Sequence, residues 1–302
     1  MDPKVSRRGA MMTVYHVPVL VEEVVEGLIT NPTGVYVDAT FGGGGHSRAI
    51  LGQLGPEGRL FGIDKDPDAP LQSLTDERFQ GIRGDFRFLE ELLEAWQVKE
   101  VAGILADLGI SSHQVDVPAR GFSYRWDAPL DLRMNPYEGE PAWAWLKRQR
   151  PEALAELLRT YGDLPKSRRL AETILKHWQP EFTTYQLTEC AYKVYGKKAE
   201  DFLSPLFQAI RIAINDELGA LEALLEAAYR LLSPHGRLVI LTYHSGEARI
   251  LKKHLHRPAE ENPVTGWKRP RWKLLAKKTP SPAEIEANPR SRSATLWLIE
   301  RV

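Results

Sequence analysis

Val35-Tyr36-Val37-Asp38-Ala39-Thr40-Phe41-Gly42-Gly43-Gly44-Gly45-His46-Ser47 reads as a short apolar strand, a glycine loop and the opening of a helix that runs to about Leu54. Glycines let a backbone turn sharply and come close to a ligand, and a helix start offers free N–H groups. Gly58 to Asp64 is a second strand that ends in an acid, about 20 residues on, where a carboxylate can bind the ribose hydroxyls of an adenosine. A phosphate-binding P-loop would need a lysine after its last glycine, and His46-Ser47 stand there instead.

Working outward, Phe79 to Arg83 reads as a third strand and Phe86 to Trp96 as an amphipathic helix. Val101 to Ala106 is a fourth strand, again followed by an acid, Asp107; Val17 to Ile29 is a helix ahead of the first. Short apolar strands alternating with helices imply an α/β fold with a parallel sheet and right-handed crossovers. Ligands then bind beyond the carboxyl ends of the strands, where Asp38, Asp64 and Asp107 fall. The alternation stops at Asp107. Helices are expected at Pro141 to Leu146, Pro151 to Tyr161, Ser167 to Trp178 and Leu187 to Val194, with no strand among them. A helix opens at Asn215-Asp216-Glu217 and runs to Leu232, Pro234-His235-Gly236 is a turn, and Arg237 to Tyr243 is a fifth strand; final strands are expected near Trp272 to Ala276 and Ala294 to Ile299. The expected division is residues 1–109 and 211–302 for one α/β domain, with an all-helical domain, 110–210, inserted between them.

The glycine loop and Asp64 alone fit a nicotinamide enzyme too. They do not then predict Asp38 before the loop, which either braces the loop as an Asx turn or accepts from a methionyl ammonium, nor the helical insert. Both favour S-adenosylmethionine. Asp85 sits where an adenine amino group could be met, and Phe86 either packs on that adenine or starts a helix as a core aromatic. After the fourth strand, Asp107-Leu108-Gly109-Ile110-Ser111-Ser112-His113-Gln114 offers hydrogen-bonding side chains where an acceptor would approach the sulfonium. It has neither the Pro-Pro-aromatic loop of many amino methyltransferases nor a Pro-Cys nucleophile, which favours chemistry on a heteroatom. An exocyclic amine needs its N–H groups held by oriented acceptors. Asp107 is the first candidate, with Ser111, Ser112 and Gln114 behind it.

Composition excludes little else. Forty basic side chains balance forty acidic ones, so net charge does not announce a nucleic acid. The single cysteine, Cys190, rules out a disulfide framework or a cysteine-built zinc site, and is expected as a small buried residue. No apolar run reaches the roughly 18 residues of a membrane span. Met1 to Met12 lacks the apolar core of a signal peptide and reads as a frayed end, so the cytosol is the expected location.

Asp38 to Ser47, Asp107 to Gln114, Arg120-Gly121-Phe122-Ser123-Tyr124, Pro129 to Met134, Phe207 to Leu218 and Asn288 to Ala294 occur in this order. Together they resemble the bacterial small-subunit ribosomal RNA cytosine-N4 methyltransferases, over about His16 to Arg301. The resemblance implies a class I, Rossmann-like methyltransferase fold with an inserted helical substrate domain. It implies S-adenosylmethionine as cofactor, held by Gly44, Gly45, His46, Asp64, Phe86, Asp107 and Gln114. The implied target is the N4 amine of a cytidine in the decoding region of 16S ribosomal RNA, within the small subunit. Two departures stand out. His244-Ser245-Gly246-Glu247-Ala248-Arg249 replaces the usual His-Ser-Leu-Glu-Asp-Arg, and Asp201 to Leu206 replaces a basic stretch.

From Arg249 to Lys278, ten Lys and Arg face two Glu, a formal charge of +8, with Trp267 and Trp272 interleaved. Cations neutralise phosphates and indoles stack on unpaired bases, so the stretch reads as an RNA surface, against a solvated basic face. Lys268, Arg269 and Arg271 are its expected contacts. Arg120, Arg125 and Arg133 form a second basic cluster, with Phe122, Tyr124 or Trp126 to hold the target base or to pack the domain junction. His244 is a further expected contact. No metal site is expected.

Overall fold

The computed structural model describes residues 18–261, 263, 264 and 266–302, so the expectation for Met1 to Met12 lies outside it, as does Val17. Helix α1 (Val21–Leu28) precedes β1 (Val35–Asp38); α2 (Gly45–Leu51) leads to β2 (Arg59–Asp64) and β3 (Phe79–Arg83). A 3-10 turn, Phe86–Phe88, and α3 (Leu89–Glu94) return the chain to β4 (Val101–Asp107). Five helices follow a short α4 (Ser112–Asp116): α5 (Ala142–Leu146), α6 (Pro151–Gly162), α7 (Ser167–His177), α8 (Thr184–Tyr195) and α9 (Glu200–Asn215). The remainder is α10 (Glu217–Leu231), β5 (Leu232–Thr242), α11 (Ser245–Leu255), β6 (Pro258–Glu261), β7 (Lys268–Pro270), β8 (Trp272–Lys278), α12 (Pro282–Ala287) and β9 (Thr295–Arg301).

Seven strands form one sheet in the order β3-β2-β1-β4-β5-β9-β8. The first five are parallel, and β9 runs antiparallel to both neighbours. This is the Rossmann-like order of class I methyltransferases. Alternate residues face opposite layers, as the two-residue strand period requires. Tyr36, Leu60, Leu105, Val239 and Leu241 pack towards α1 and α2, while Val37, Phe61, Ile104, Leu238 and Ile240 pack towards α3, α10 and α11. The chain lays β2 and β3 on one side of β1 and then returns to place β4 on the other. The order therefore reverses between β1 and β4, which opens a crevice at their carboxyl ends.

Helices α5 to α9 carry a core of their own, from Phe122 and Leu130 through Leu158, Ile174 and Cys190 to Ile210. Helix α9 was not anticipated; Pro205 inside it argues against a helix, yet it buries Leu206, Phe207 and Ile210. The expected turn at Pro234 to Gly236 lies instead within β5. His235 takes a left-handed φ of 65° there, and the register against β4 shifts between Val101 and Gly103. From Leu232 to Arg237 β5 advances five residues while β4 advances two, from Val101 to Gly103, so the turn-like sequence stands out of the register. The hairpin of β6 and β7 was likewise unforeseen.

Candidate active site

Asp107 ends β4 at the reversal point, with its side chain a quarter exposed. Its backbone N–H donates to Thr40 Oγ1 at 2.7 Å, which ties the end of β4 to the loop after β1. Oδ1 accepts from the Tyr243 hydroxyl at 2.6 Å, and Oδ2 lies 3.6 Å from His46 Nδ1. The other His46 nitrogen, Nε2, is 2.9 Å from the Val19 carbonyl. A carbonyl only accepts, so Nε2 carries a proton. Burial pushes the Asp107 carboxyl above the usual range, opposed by His46 and by the Tyr243 bond. Neither Thr40 nor Tyr243 was singled out from sequence. A signal existed: both carry hydroxyls at the carboxyl ends of predicted parallel strands.

Asp38 is fully buried, accepting from Thr40 N–H at 3.1 Å and from Ser47 Oγ at 2.7 Å. The bracing reading describes these contacts. Asp64 holds Gly42 N–H at 2.7 Å and Asp66 N–H at 2.9 Å, and burial raises its carboxyl to about 6. Asp85 is ion-paired with Lys65 and Arg87, each at 3.3 Å. Phe86 is partly buried against the sheet core.

A cofactor needs open space beside backbone, and two glycines outline it. Gly42 and Gly109 have φ of 53° and 99°, and a Cβ at either would meet nothing nearer than 3.9 and 3.7 Å. Gly44, with φ of 78°, is required for another reason: a Cβ there would sit 2.6 Å from the Phe41 ring. A Cβ on Gly45 would press on Pro18. The backbone at Gly42 and Gly109 is thus open, and the Asp64 carboxylate lies beside Gly42.

Ser111 caps α4 by accepting from Gln114 N–H at 3.2 Å, while Gln114 Oε1 accepts from Ser111 N–H at 3.0 Å; Ser112 is the first residue of that helix. Gln114 is buried, and its amide donates to Asp66 at 2.7 Å. One amide proton and one oxygen lone pair remain for a ligand. Asp66 also takes two bonds from Arg120, each at 3.1 Å.

Of the expected RNA contacts, Arg120 and Phe122 are buried in the chain and are corrected, while Arg133, His244 and Arg271 are half-buried with partners inside it. Arg120 is 6% exposed, held by Asp66, Asp68 and the carbonyls of Arg133 and Met134. Phe122 lies in the helical core. Arg133 grips Asp131 through two bonds, and Arg271 is tied to Glu226 at 3.0 Å and to the Pro258 carbonyl. Trp272 is buried against Tyr229. The His244 side chain is 9% exposed and caps α11. Its Nδ1 accepts from Glu247 N–H, so Nε2 carries the proton, 3.2 Å from Glu247 Oε1, while nearby Glu217 is paired with Arg211. For the arginines the cause is a carboxylate within reach that takes bidentate or multiple bonds from the guanidinium. Tyr124, Lys268 and Arg269 are exposed, with Trp126 and Trp267.

The whole chain can be placed by comparison. A family profile described as the MraW methylase family matches residues 13–302. The chain belongs to that family. S-adenosylmethionine, the general methyl donor of such enzymes, follows as its cofactor. Two curated proteins named ribosomal RNA small subunit methyltransferase H are similar over nearly their full lengths. The protein from Parabacteroides distasonis is 44% identical, with 95% of this chain and 98% of its own covered. That from Burkholderia mallei is 43% identical, with 95% and 97% covered. A solved rRNA methylase from Streptococcus thermophilus is more distant, at 13% identity and a TM-score of 0.39, covering 93% of each chain. Among the described residues of this MraW methylase, no helix is long and apolar enough to cross a membrane.

Proposed function

We propose that the protein transfers a methyl group from S-adenosylmethionine to the N4 amine of one cytidine in the decoding region of 16S ribosomal RNA. The observation that carries the reading is Asp107, a partly exposed carboxylate at the β1–β4 reversal, beside backbone open enough for a cofactor. Gly44, Gly45, His46, Asp64, Phe86, Asp107 and Gln114 would hold the cofactor, which supplies a methyl group on a sulfonium. Asp107 accepts an N–H bond from the target amine, aligns its nitrogen and takes the proton that the nitrogen loses as it gains the methyl group. Ser111 and Ser112, at the start of α4, assist in holding the base. Helices α5 to α9 and the basic face around β7 receive the RNA, through Tyr124, Lys268 and Arg269.

The test is transfer of labelled methyl from S-adenosylmethionine to small ribosomal subunits, followed by digestion and mass spectrometry. N4-methylcytidine at a single position is expected; a different methylated nucleoside, or tight binding of NAD alone in calorimetry, refutes the proposal. Binding also depends on acidity. The raised Asp64 carboxyl is ionised, and a full acceptor for ribose hydroxyls, only above about pH 6. Cofactor affinity measured by calorimetry should be flat above that value and weaken as pH falls through it. The same group has a folded value above its unfolded one, so its own contribution to stability declines as pH rises towards 6.

For the RNA surface, Lys268→Ala, Arg269→Ala and Lys273→Ala combined should weaken RNA binding at low salt. The salt slope should fall by about one for each phosphate left without its cation. An unchanged slope would return this face to solvent. Arg271 is left out because its removal would strip Glu226 of a partner.

A further inference from the structure

Tyr243 follows β5 directly and reaches across the end of β4. Its ring lies over Gly109, where a Cβ would be 3.7 Å from Cδ2, and its hydroxyl donates to Asp107 Oδ1 at 2.6 Å. We propose that Tyr243 is a positioning residue for the transfer, holding the Asp107 carboxylate ionised and turned towards the crevice. This rests on the reading of Asp107 as the group that receives the amine.

Four side chains face that carboxylate from four elements. Asp38 on β1 and Glu247 on α11 carry like charge and oppose ionisation, while His46 on α2 and Tyr243 favour it. The His46 contact, at 3.6 Å, is too long to be a hydrogen bond. Among the described residues, the phenol therefore makes the short side-chain bond to Asp107. That bond fixes which oxygen is spent and leaves Oδ2 and the outer lone pair of Oδ1 for a ligand. The tyrosine is itself held in place: its backbone N–H donates to Glu247 Oε2 at 2.7 Å, and Glu247 is buried as part of the α11 cap. Burial and the adjacent carboxylate push the phenol well above its ordinary range, so it stays a donor throughout the working range of pH. A merely packed aromatic would need no such anchoring of its hydroxyl.

The experiment is a pH–rate profile for Tyr243→Phe, which keeps the ring and removes the donor. Activity requires ionised Asp107, and without the bond the carboxyl ionises at a higher pH. The acid limb of kcat/KM should therefore move up by about one to two pH units, with the alkaline plateau within about threefold of the parent. Replacing Tyr243 with a ring-fluorinated tyrosine, a stronger donor of nearly the same shape, should move the limb down. An unmoved limb in both proteins overturns the proposal, as does an equal fall in rate at every pH accompanied by failure to bind cofactor. Should Tyr243→Phe fail to fold, the fluorinated protein decides alone. An inactive parent would defeat the methyltransferase reading as well, which separates the two failures.

Discussion

Asp107→Asn is expected to lower methyl transfer by roughly 10³-fold, within the range by which positioned proton acceptors contribute. The amide has the same shape and can still accept from the Tyr243 hydroxyl and leave the Thr40 bond in place. What it loses is charge, in a site whose other near carboxylates, Asp38 and Glu247, are engaged by Thr40 and Ser47 and by the Tyr243 N–H. The amine that gains the methyl group then develops positive charge with no carboxylate in reach. Single-turnover rates with saturating cofactor and RNA, together with thermal melting, check this. A variant that melts as the parent does and turns over within threefold of it would remove Asp107 from the reaction.

Arg120→Ala is expected to cost about 3–5 kcal/mol of folding stability, the range for stripping one partner from a buried ion pair. Asp66 and Arg120 have 6% and 8% of their side chains exposed, and the guanidinium also holds the carbonyls of Arg133 and Met134. Without it, Asp66 keeps the Gln114 amide as its remaining side-chain donor. The loop after β2 would then part from the segment that enters the helical region. Denaturant unfolding of the variant, and of Arg120→Ala combined with Asp66→Asn, measures the effect. The double variant should recover part of the stability, because the stranded charge is gone. A cost near that of an exposed pair, under about 1 kcal/mol, would show that the network is solvated.

These two residues differ in how far sequence alone could place them. Asp107 was legible because an acid at the end of an apolar strand, after a glycine loop and two further strands, can occupy few places in a parallel sheet. Arg120 was misread as an RNA contact because its partners, Asp66 and Asp68, are more than 50 residues away. The same applies to the basic run from Arg249 to Lys278. Glu222 and Glu226 on α10 meet Lys253, His254, Arg257 and Arg271, so the counted charge exceeds the charge that faces outwards.

The strand–loop–helix from Val35 onward, the acids at the strand ends, the helical interruption and the family were all determined by the sequence, since periodicity and glycine placement act over a few residues. Tertiary structure alone decided the rest. It joined Tyr243 to Asp107 across 136 positions, and it assigned Asp38 to bracing the loop. It also buried Arg120 and Phe122, paired Arg133 and Arg271 with carboxylates, and shifted the register of β5 around His235. Each of these outcomes depends on which groups are brought together when the sheet closes. Burial and charge pairing are properties of that juxtaposition, and local sequence does not contain them.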